Sequence, residues 1–121
     1  MTLPLTAEML EACYEFLRET KPFSDWNLPH GEDVKFIVGG ALDCFAHYQW
    51  DGARHTITVS SKAVGYTGTL INVLSHEMVH LHLWANNMES KRSGPKFHNA
   101  AFRKFAAQVC KYHGFDPKAF Y

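Results

Sequence analysis

The sequence predicts a single α+β domain, in which a small antiparallel sheet packs on a central helix with a further helix on either side. Two observations support this class. Apolar residues recur at helical spacing in three segments, and three short β-prone runs lie between the first two of these segments. The composition agrees, because 46% of the 121 residues are hydrophobic and 20% are charged. A chain of this length supports one hydrophobic core, so we expect one domain over residues 1–121.

The first helix is predicted from Thr6 to about Glu19. Thr6 is a typical N-cap residue, and Pro22 ends the helical pattern. The apolar positions of this segment are Met9, Leu10, Cys13, Phe16 and Leu17. Glutamates occupy the other side, so we expect an amphipathic helix with one face on the core.

Three strands are predicted at Val34–Val38, Phe45–Trp50 and His55–Ser60. The Asp51-Gly52 pair between the last two is a hairpin signal, because both residue types tolerate the positive φ of a tight turn. We therefore expect the second and third strands to be antiparallel neighbours.

The central helix is predicted from about Thr69 to Ala85. This segment is too long for a strand, and Asn86 and Asn87 after it suit a left-handed helix end. The segment is apolar nearly all round, which indicates a helix buried on every side. Its apolar residues are Leu70, Ile71, Val73, Leu74, Met78, Val79, Leu81, Leu83 and Trp84.

An HExxH motif, His76-Glu77-Met78-Val79-His80, lies within this helix. Residues four apart are about 40° apart around a helix axis, so His76 and His80 can bind one metal ion. Glu77 is about 100° round from His76, beside the ion, where it can act on a water molecule. Two histidines and a glutamate in a buried helix are costly unless they are paired or bound to metal. The motif therefore favours a zinc site over hydrogen-bonded core histidines.

A catalytic zinc site needs a third protein ligand, and His98 is the candidate. A third helix is predicted to open at Pro95 or Asn99 and to end at Gly114. The residues that share the expected core-facing stripe with His98 are Phe102, Phe105, Val109 and Tyr112. The loop before this helix is long enough for an antiparallel return, which would bring His98 to the HExxH pair.

Other sources of a third ligand fit less well. The metzincin spacing requires glycine at position 83 and histidine at position 86, where the chain has Leu83 and Asn86. A zinc ribonuclease of the HxxxHxxxxxH type also requires histidine at position 86. Glu89 is the one glutamate downstream of the motif, and it is too close to fold back. His82 lies about 120° round the helix from His76 and points away from the predicted site.

The overall charge is balanced, because twelve Lys plus Arg match twelve Asp plus Glu. The chain is therefore not a dedicated nucleic-acid binder by composition. The charges are uneven, however: residues 1–60 carry a net −5 and residues 61–121 a net +5. Arg103, Lys104 and Lys111 can form a basic stripe on the third helix, from which we expect weak, salt-sensitive binding of single-stranded DNA.

Neither a disulfide framework nor a cysteine zinc site is indicated, because Cys13, Cys44 and Cys110 are widely spaced and odd in number. The N-terminal segment lacks the basic start and apolar centre of a signal peptide. No apolar run is long enough for a transmembrane helix. We therefore expect a cytoplasmic protein that does not associate with membranes.

The chain resembles the SprT-like zinc metallopeptidases, a family that includes proteases of DNA–protein crosslink repair. The resemblance is carried by Ser75–Leu81 and by His98–Phe102, which are similar to the family's HExxH motif and to the HGxxF-like element that opens its next helix. The ending His113–Pro117 is similar to that of short, phage-type members. The resemblance implies a minimal zincin-like fold and a zinc ligand at His98.

The chain departs from the family pattern at three points. Asn99 stands where the family usually has glycine. Ser93–Phe97 resembles the HGPxF form of the second element, with serine in the ligand position, so a second register is open; the apolar stripe favours His98. The four-cysteine zinc ribbon of many bacterial members has no counterpart, since only Cys110 lies after the motif.

The resulting hypothesis is a zinc metallopeptidase that hydrolyses peptide bonds. The expected ligands of one catalytic Zn²⁺ are His76, His80 and His98. Glu77 is the expected general base. The alternative is a non-catalytic, zinc-stabilised interaction module that is DNA-associated or phage-encoded. An intact Glu77 argues against that alternative, because a structural zinc ion needs no general base.

We expect a protein or peptide substrate, in particular a DNA-associated protein. An extended substrate could add as a strand to a sheet edge near the metal, which the sequence places at His55–Ser60. Tyr48 and Tyr66 are candidates for stabilising the oxyanion of the reaction.

Overall fold

The structure is a computed structural model that describes residues 5–39, 46–50, 52–61, 67–88 and 98–120. The helices of this part of the chain are α1 (Ala7–Arg18), α2 (Thr67–Ala85), α3 (Ala100–His113) and α4 (Pro117–Phe120). Its strands are β1 (Val34–Gly39), β2 (Ala46–Trp50) and β3 (His55–Ser60), and short 3-10 helices lie at Phe23–Asp25 and Gly31–Asp33. The predicted α+β class is confirmed.

The helix ends follow the capping residues of the sequence. The Thr6 hydroxyl oxygen accepts a hydrogen bond from the backbone N–H three residues on (3.1 Å), and α1 begins there. Gly114 ends α3 with a φ of 74°, and Asn87 follows α2 with a φ of 58°; both lie in the left-handed region that is favoured after helices. Of the two predicted starts of α3, Asn99 is the observed N-cap, whereas Pro95 lies outside the described residues.

The sheet is mixed, so the prediction of an antiparallel sheet is wrong. The strand order is β1-β3-β2, in which β2 and β3 form the predicted antiparallel pair but β1 runs parallel to β3. Residue patterns indicate which runs are extended, whereas the route of the chain between two strands decides their direction and partner.

Strand β3 lies in the middle of the sheet, with β1 on one edge and β2 on the other. Residues 56–60 are all buried, which is why this strand shows no alternation of apolar and polar residues. A strand paired on both edges cannot accept a further strand. The predicted docking of a substrate on the edge of His55–Ser60 is therefore wrong.

Helix α2 is the central helix, as its composition predicts. Its residues with 0% exposure are Leu74, Ser75, Met78, Val79, Leu81 and Leu83. It packs against β2 and β3 and against α1, α3 and α4, so the polar side chains near its middle lie inside the protein. Although α2 is apolar, neither it nor another helix in the described ranges is long and apolar enough to cross a membrane.

The core-facing stripe of α3 is rotated relative to the predicted one. Its buried residues are Phe102, Ala106, Val109 and Cys110. Tyr112, which was predicted to face the core, is 57% exposed. At 100° per residue, Tyr112 lies about 80° from Phe102 on one side of the helix, whereas the buried Cys110 lies about 80° from it on the other side, so Tyr112 falls outside the buried arc.

The C-terminal segment packs back on the core, as its aromatic residues indicate. Phe120, at the end of α4, is 2% exposed. Its ring stacks with that of Phe115, with centroids 5.8 Å apart. Helix α4 was not predicted, because a four-residue turn has no apolar periodicity.

Candidate metal centre

Helix α2 presents the HExxH side chains in the interior of the protein. His80 is 1% exposed and Glu77 is 5% exposed. The rings of His76 and His80 lie one helical turn apart, with centroids separated by 5.1 Å. They share one face of α2, as residues at i and i+4 must.

His98 reaches the two α2 histidines from the position just before the N-cap of α3. The Asn99 side-chain oxygen accepts from the Phe102 N–H (2.8 Å), and its amide donates to the Met88 carbonyl (3.1 Å), which lies just after α2. Arg103 donates to the His98 carbonyl oxygen (2.8 Å). The bond to Met88 joins the start of α3 to the end of α2, and the other two order the start of α3 itself. The family that the sequence resembles usually has glycine at this position. Glycine could make neither of the two side-chain bonds of Asn99.

Three ring nitrogens converge at this place, one each from His76, His80 and His98, and all lie within 4.8 Å of one another. The Nε2 atoms of His76 and His98 are 3.2 Å apart. Two nitrogens bound to one tetrahedral zinc ion at about 2.0–2.1 Å would be about 3.3 Å apart. The cluster could therefore hold a metal ion. Among the described residues, these three histidines are the group of His, Cys, Asp or Glu side chains whose ligand atoms all lie this close together.

Burial keeps the α2 imidazoles uncharged. Desolvation lowers the pKa of His76 to about 3, with the neighbouring histidines adding to the effect and a hydrogen bond to a carbonyl opposing it. Desolvation likewise lowers the pKa of His80 to about 4. Both rings are neutral at pH 7, and a neutral imidazole is the form that binds metals.

The proton of the His76 ring has a defined place. Nδ1 of His76 lies 2.7 Å from the carbonyl oxygen of Phe120 in α4. A carbonyl can only accept, so Nδ1 carries the proton and Nε2 presents its lone pair to the cluster. This contact was not predicted, and no sequence signal could have revealed it, because the acceptor is a backbone atom 44 residues away.

Phe102 forms an apolar wall that touches all three histidine rings. Its ring centroid lies 4.3 Å from that of His98, nearly parallel at 16°, and 4.5 Å and 4.9 Å from those of His80 and His76. Phe102 is 0% exposed. Its predicted role was in the core alone; its place at the end of the HGxxF-like element was the available signal for a second role. By filling the space beside the rings, it restricts their rotation.

The Glu77 carboxylate lies beside the nitrogen cluster. Its Oε2 atom is 3.9 Å from Nε2 of His76. Position 77 is about 100° round the helix from position 76, so the carboxylate approaches the cluster from the side. A buried carboxylate at this place can accept a proton from a water molecule in the site.

The other candidate residues are used elsewhere or lie outside the described ranges. His82 is buried and its ring stacks on Trp26, with centroids 4.4 Å apart. Tyr48 is 2% exposed and its hydroxyl is 2.5 Å from Nδ1 of His55, so it does not suit the predicted oxyanion role. The candidates outside the described residues are Tyr66, Glu89 and Ser93–Phe97.

Comparison with models of known protein families gives a match. The model of the SprT-like family matches residues 13–119, which is most of the chain and includes both the HExxH helix and His98. A search of curated proteins found no match.

Proposed function

The chain belongs to the SprT-like family, and from this premise we propose that it is a zinc-dependent metallopeptidase. The observation that carries the proposal is the convergence of three histidine nitrogens beside a buried glutamate. Three imidazole ligands leave one position of a tetrahedral zinc ion for solvent or substrate, which is the arrangement of catalytic rather than structural zinc sites.

The residues that would hold the metal are His76, His80 and His98. A bound zinc ion supplies Lewis acidity, which polarises a scissile carbonyl group and lowers the pKa of a water molecule to about 7. Glu77 would accept the proton of the attacking water and then pass it to the leaving amine as the carbon–nitrogen bond breaks. Both transfers use the same carboxylate, so the charge of the residue is restored after each turnover.

A peptide substrate would bind in extended form along β2. The two edges of the described sheet are β1 and β2, of which β2 packs against the metal-site helix α2, whereas β1 packs against α1. An extended peptide along Ala46–Trp50 would present alternate side chains to the protein. This edge replaces His55–Ser60 as the proposed place for the substrate.

Glu77→Gln tests the proposal. The amide is nearly isosteric with the carboxylate but cannot accept a proton, so the variant should bind about one zinc ion per chain, as the wild type should, yet lose hydrolysis. We expect a loss of roughly 10²–10⁴-fold or more in the cleavage rate. The zinc content of wild type and variant is measured, and so is their cleavage of unfolded proteins and of DNA-bound proteins. Wild type treated with a chelator is the control.

The outcomes separate the two function classes. If the wild type binds zinc but cleaves none of the substrates, the non-catalytic, zinc-stabilised module is favoured. Equal cleavage by wild type and Glu77→Gln would overturn the role of Glu77. Cleavage that requires DNA would identify DNA-associated proteins as the substrate class.

A further inference from the structure

We infer that Phe120 is a positioning residue of the metal centre, which acts through its backbone carbonyl to hold the His76 imidazole in the tautomer and orientation that metal binding requires. The inference rests on the proposed metal-binding function and deepens it. Helix α4 would then support a metal site whose proposed ligands all lie in other parts of the chain.

The contact itself is short and directional. The Phe120 carbonyl oxygen is 2.7 Å from Nδ1 of His76, so this nitrogen donates. The opposite nitrogen, Nε2, is then the unprotonated one, and it is the nitrogen that faces Nε2 of His98 at 3.2 Å. Without the acceptor, the neutral ring could carry its proton on Nε2 instead, and in that tautomer it could not bind a metal there.

The carbonyl is held in place by the packing of α4. The Phe120 side chain is 2% exposed, with its ring 5.6 Å from that of His76 and 5.8 Å from that of Phe115. Its backbone N–H donates to the Asp116 carbonyl (3.0 Å), and the Asp116 carboxylate accepts from the Lys118 N–H (3.0 Å). The buried ring therefore anchors the segment, and the Asp116 cap orders the turn that aims the carbonyl.

Such outer contacts matter for metal affinity. A hydrogen bond to the second nitrogen of a histidine ligand sets the ring orientation and raises its basicity, and removal of such a partner typically lowers metal affinity about 10–100-fold. The coupling is reciprocal: if α4 favours metal binding, bound metal must stabilise α4. The amide of Phe120 should then exchange its hydrogen more slowly in the zinc-loaded protein than in the metal-free protein.

The decisive experiment measures zinc affinity by chelator competition in the full chain. Phe120→Ala removes the anchor and should lower affinity about 10–100-fold, and Phe120→Leu, which refills the buried space, should restore most of it. The matched control is Phe23→Ala, since Phe23 is equally buried but contacts Trp26 and His113 rather than the cluster. This control should lose thermal stability and keep its zinc affinity.

A surface variant covers the case in which Phe120→Ala does not fold. Asp116→Ala removes the cap of α4 without opening a cavity and should lower zinc affinity about threefold, as expected for a lost cap. Lys118→Ala, on the same exposed turn, should leave the affinity unchanged. The visible absorption of the Co²⁺-loaded protein, which reports ligand geometry, should change in the Asp116 variant and not in the Lys118 variant.

The results distinguish this inference from the proposed function. If the wild type binds zinc and both Phe120→Ala and Asp116→Ala bind it as tightly, the positioning role is overturned while the proposed function stands. An equal loss of affinity in Phe23→Ala would also overturn it, because the effect would then come from general stability. A wild type that binds no zinc would overturn both.

Discussion

At the scale of single residues, the site depends on which ring nitrogens meet. His76 and His80 come together through the geometry of α2 alone. His98 lies just before α3, so its neighbours must hold it against α2. Asn99 and Arg103 hold it there. Asn99 bonds to backbone groups at the end of α2 and in α3, and Arg103 donates to the His98 carbonyl. The histidine cluster is therefore complete only when α2 and α3 are packed.

His98→Ala and His82→Ala form a matched pair of residue-scale tests. His98→Ala should lower zinc affinity on the order of 10²-fold or more, because it removes a ligand rather than a supporting contact. His82→Ala should keep zinc but unfold at lower temperature, because its buried ring stacks on Trp26 away from the cluster. Zinc content and thermal unfolding are measured for both. Full zinc retention in His98→Ala would show that another residue is the third ligand.

At the scale of elements, α1 is joined to the 3-10 helix at Gly31–Asp33 by one carboxylate. Glu15 accepts from the Arg18 guanidinium (2.7 Å) and from the Gly31 N–H. A side chain at position 31 would force the neighbouring glutamates to move, because a Cβ there would lie 2.8 Å from Cγ of Glu11 and 2.9 Å from Oε1 of Glu15. The Arg18 hydrogen bond is the largest cause that lowers the pKa of Glu15, and burial opposes it.

Glu15→Gln should therefore destabilise the protein in a pH-dependent way. Because the folded-state pKa is lowered, the stabilisation is fully present above the ordinary value of 4.5 and is lost as the pH falls through the lower folded-state value. The pair is partly exposed, so we expect about 1 kcal/mol or less at pH 7. Thermal unfolding of wild type and variant at pH 7 and pH 3 checks this, with Glu32→Gln as the control. A difference that grows in acid would contradict the prediction.

At the scale of the whole molecule, part of the positive charge of the second half lies on the helix that follows the candidate metal site. Arg103, Lys104 and Lys111 are all exposed on α3, the helix that begins just after His98. Arg103 also donates to the His98 carbonyl, so the basic stripe starts at the site itself. A polyanion bound to this stripe would lie next to the proposed catalytic centre.

We therefore predict weak, sequence-independent binding of single-stranded DNA at low salt. A stripe of this size can contact roughly three or four phosphates, and the affinity should fall steeply as salt approaches physiological concentration. Fluorescence anisotropy of a labelled oligonucleotide at two salt concentrations tests it, and Lys104→Ala combined with Lys111→Ala should reduce the salt dependence. Tight, salt-resistant binding would indicate a larger DNA-binding surface. The absence of binding at low salt would contradict the prediction.

Short-range features were predictable from the sequence. The ends of α1 and α3 follow from Thr6, Asn99 and Gly114, and the pairing of His76 with His80 follows from their spacing. These features depend on backbone angles and on hydrogen bonds between residues no more than about four positions apart. For such features the sequence contains both partners in one window, so it determines them.

Long-range features were decided by the tertiary structure. The parallel pairing of β1 with β3, the burial of Tyr48 against His55, the contact of Phe102 with all three rings and the bond from His76 to the Phe120 carbonyl were not predicted. Each depends on how separate elements pack, and the last involves a backbone atom that is the same in every residue type. The sequence predicted His98 as a candidate ligand, but its approach to His76 on α2 also depends on packing. The two residues are 22 positions apart, and no local dihedral preference reaches that far.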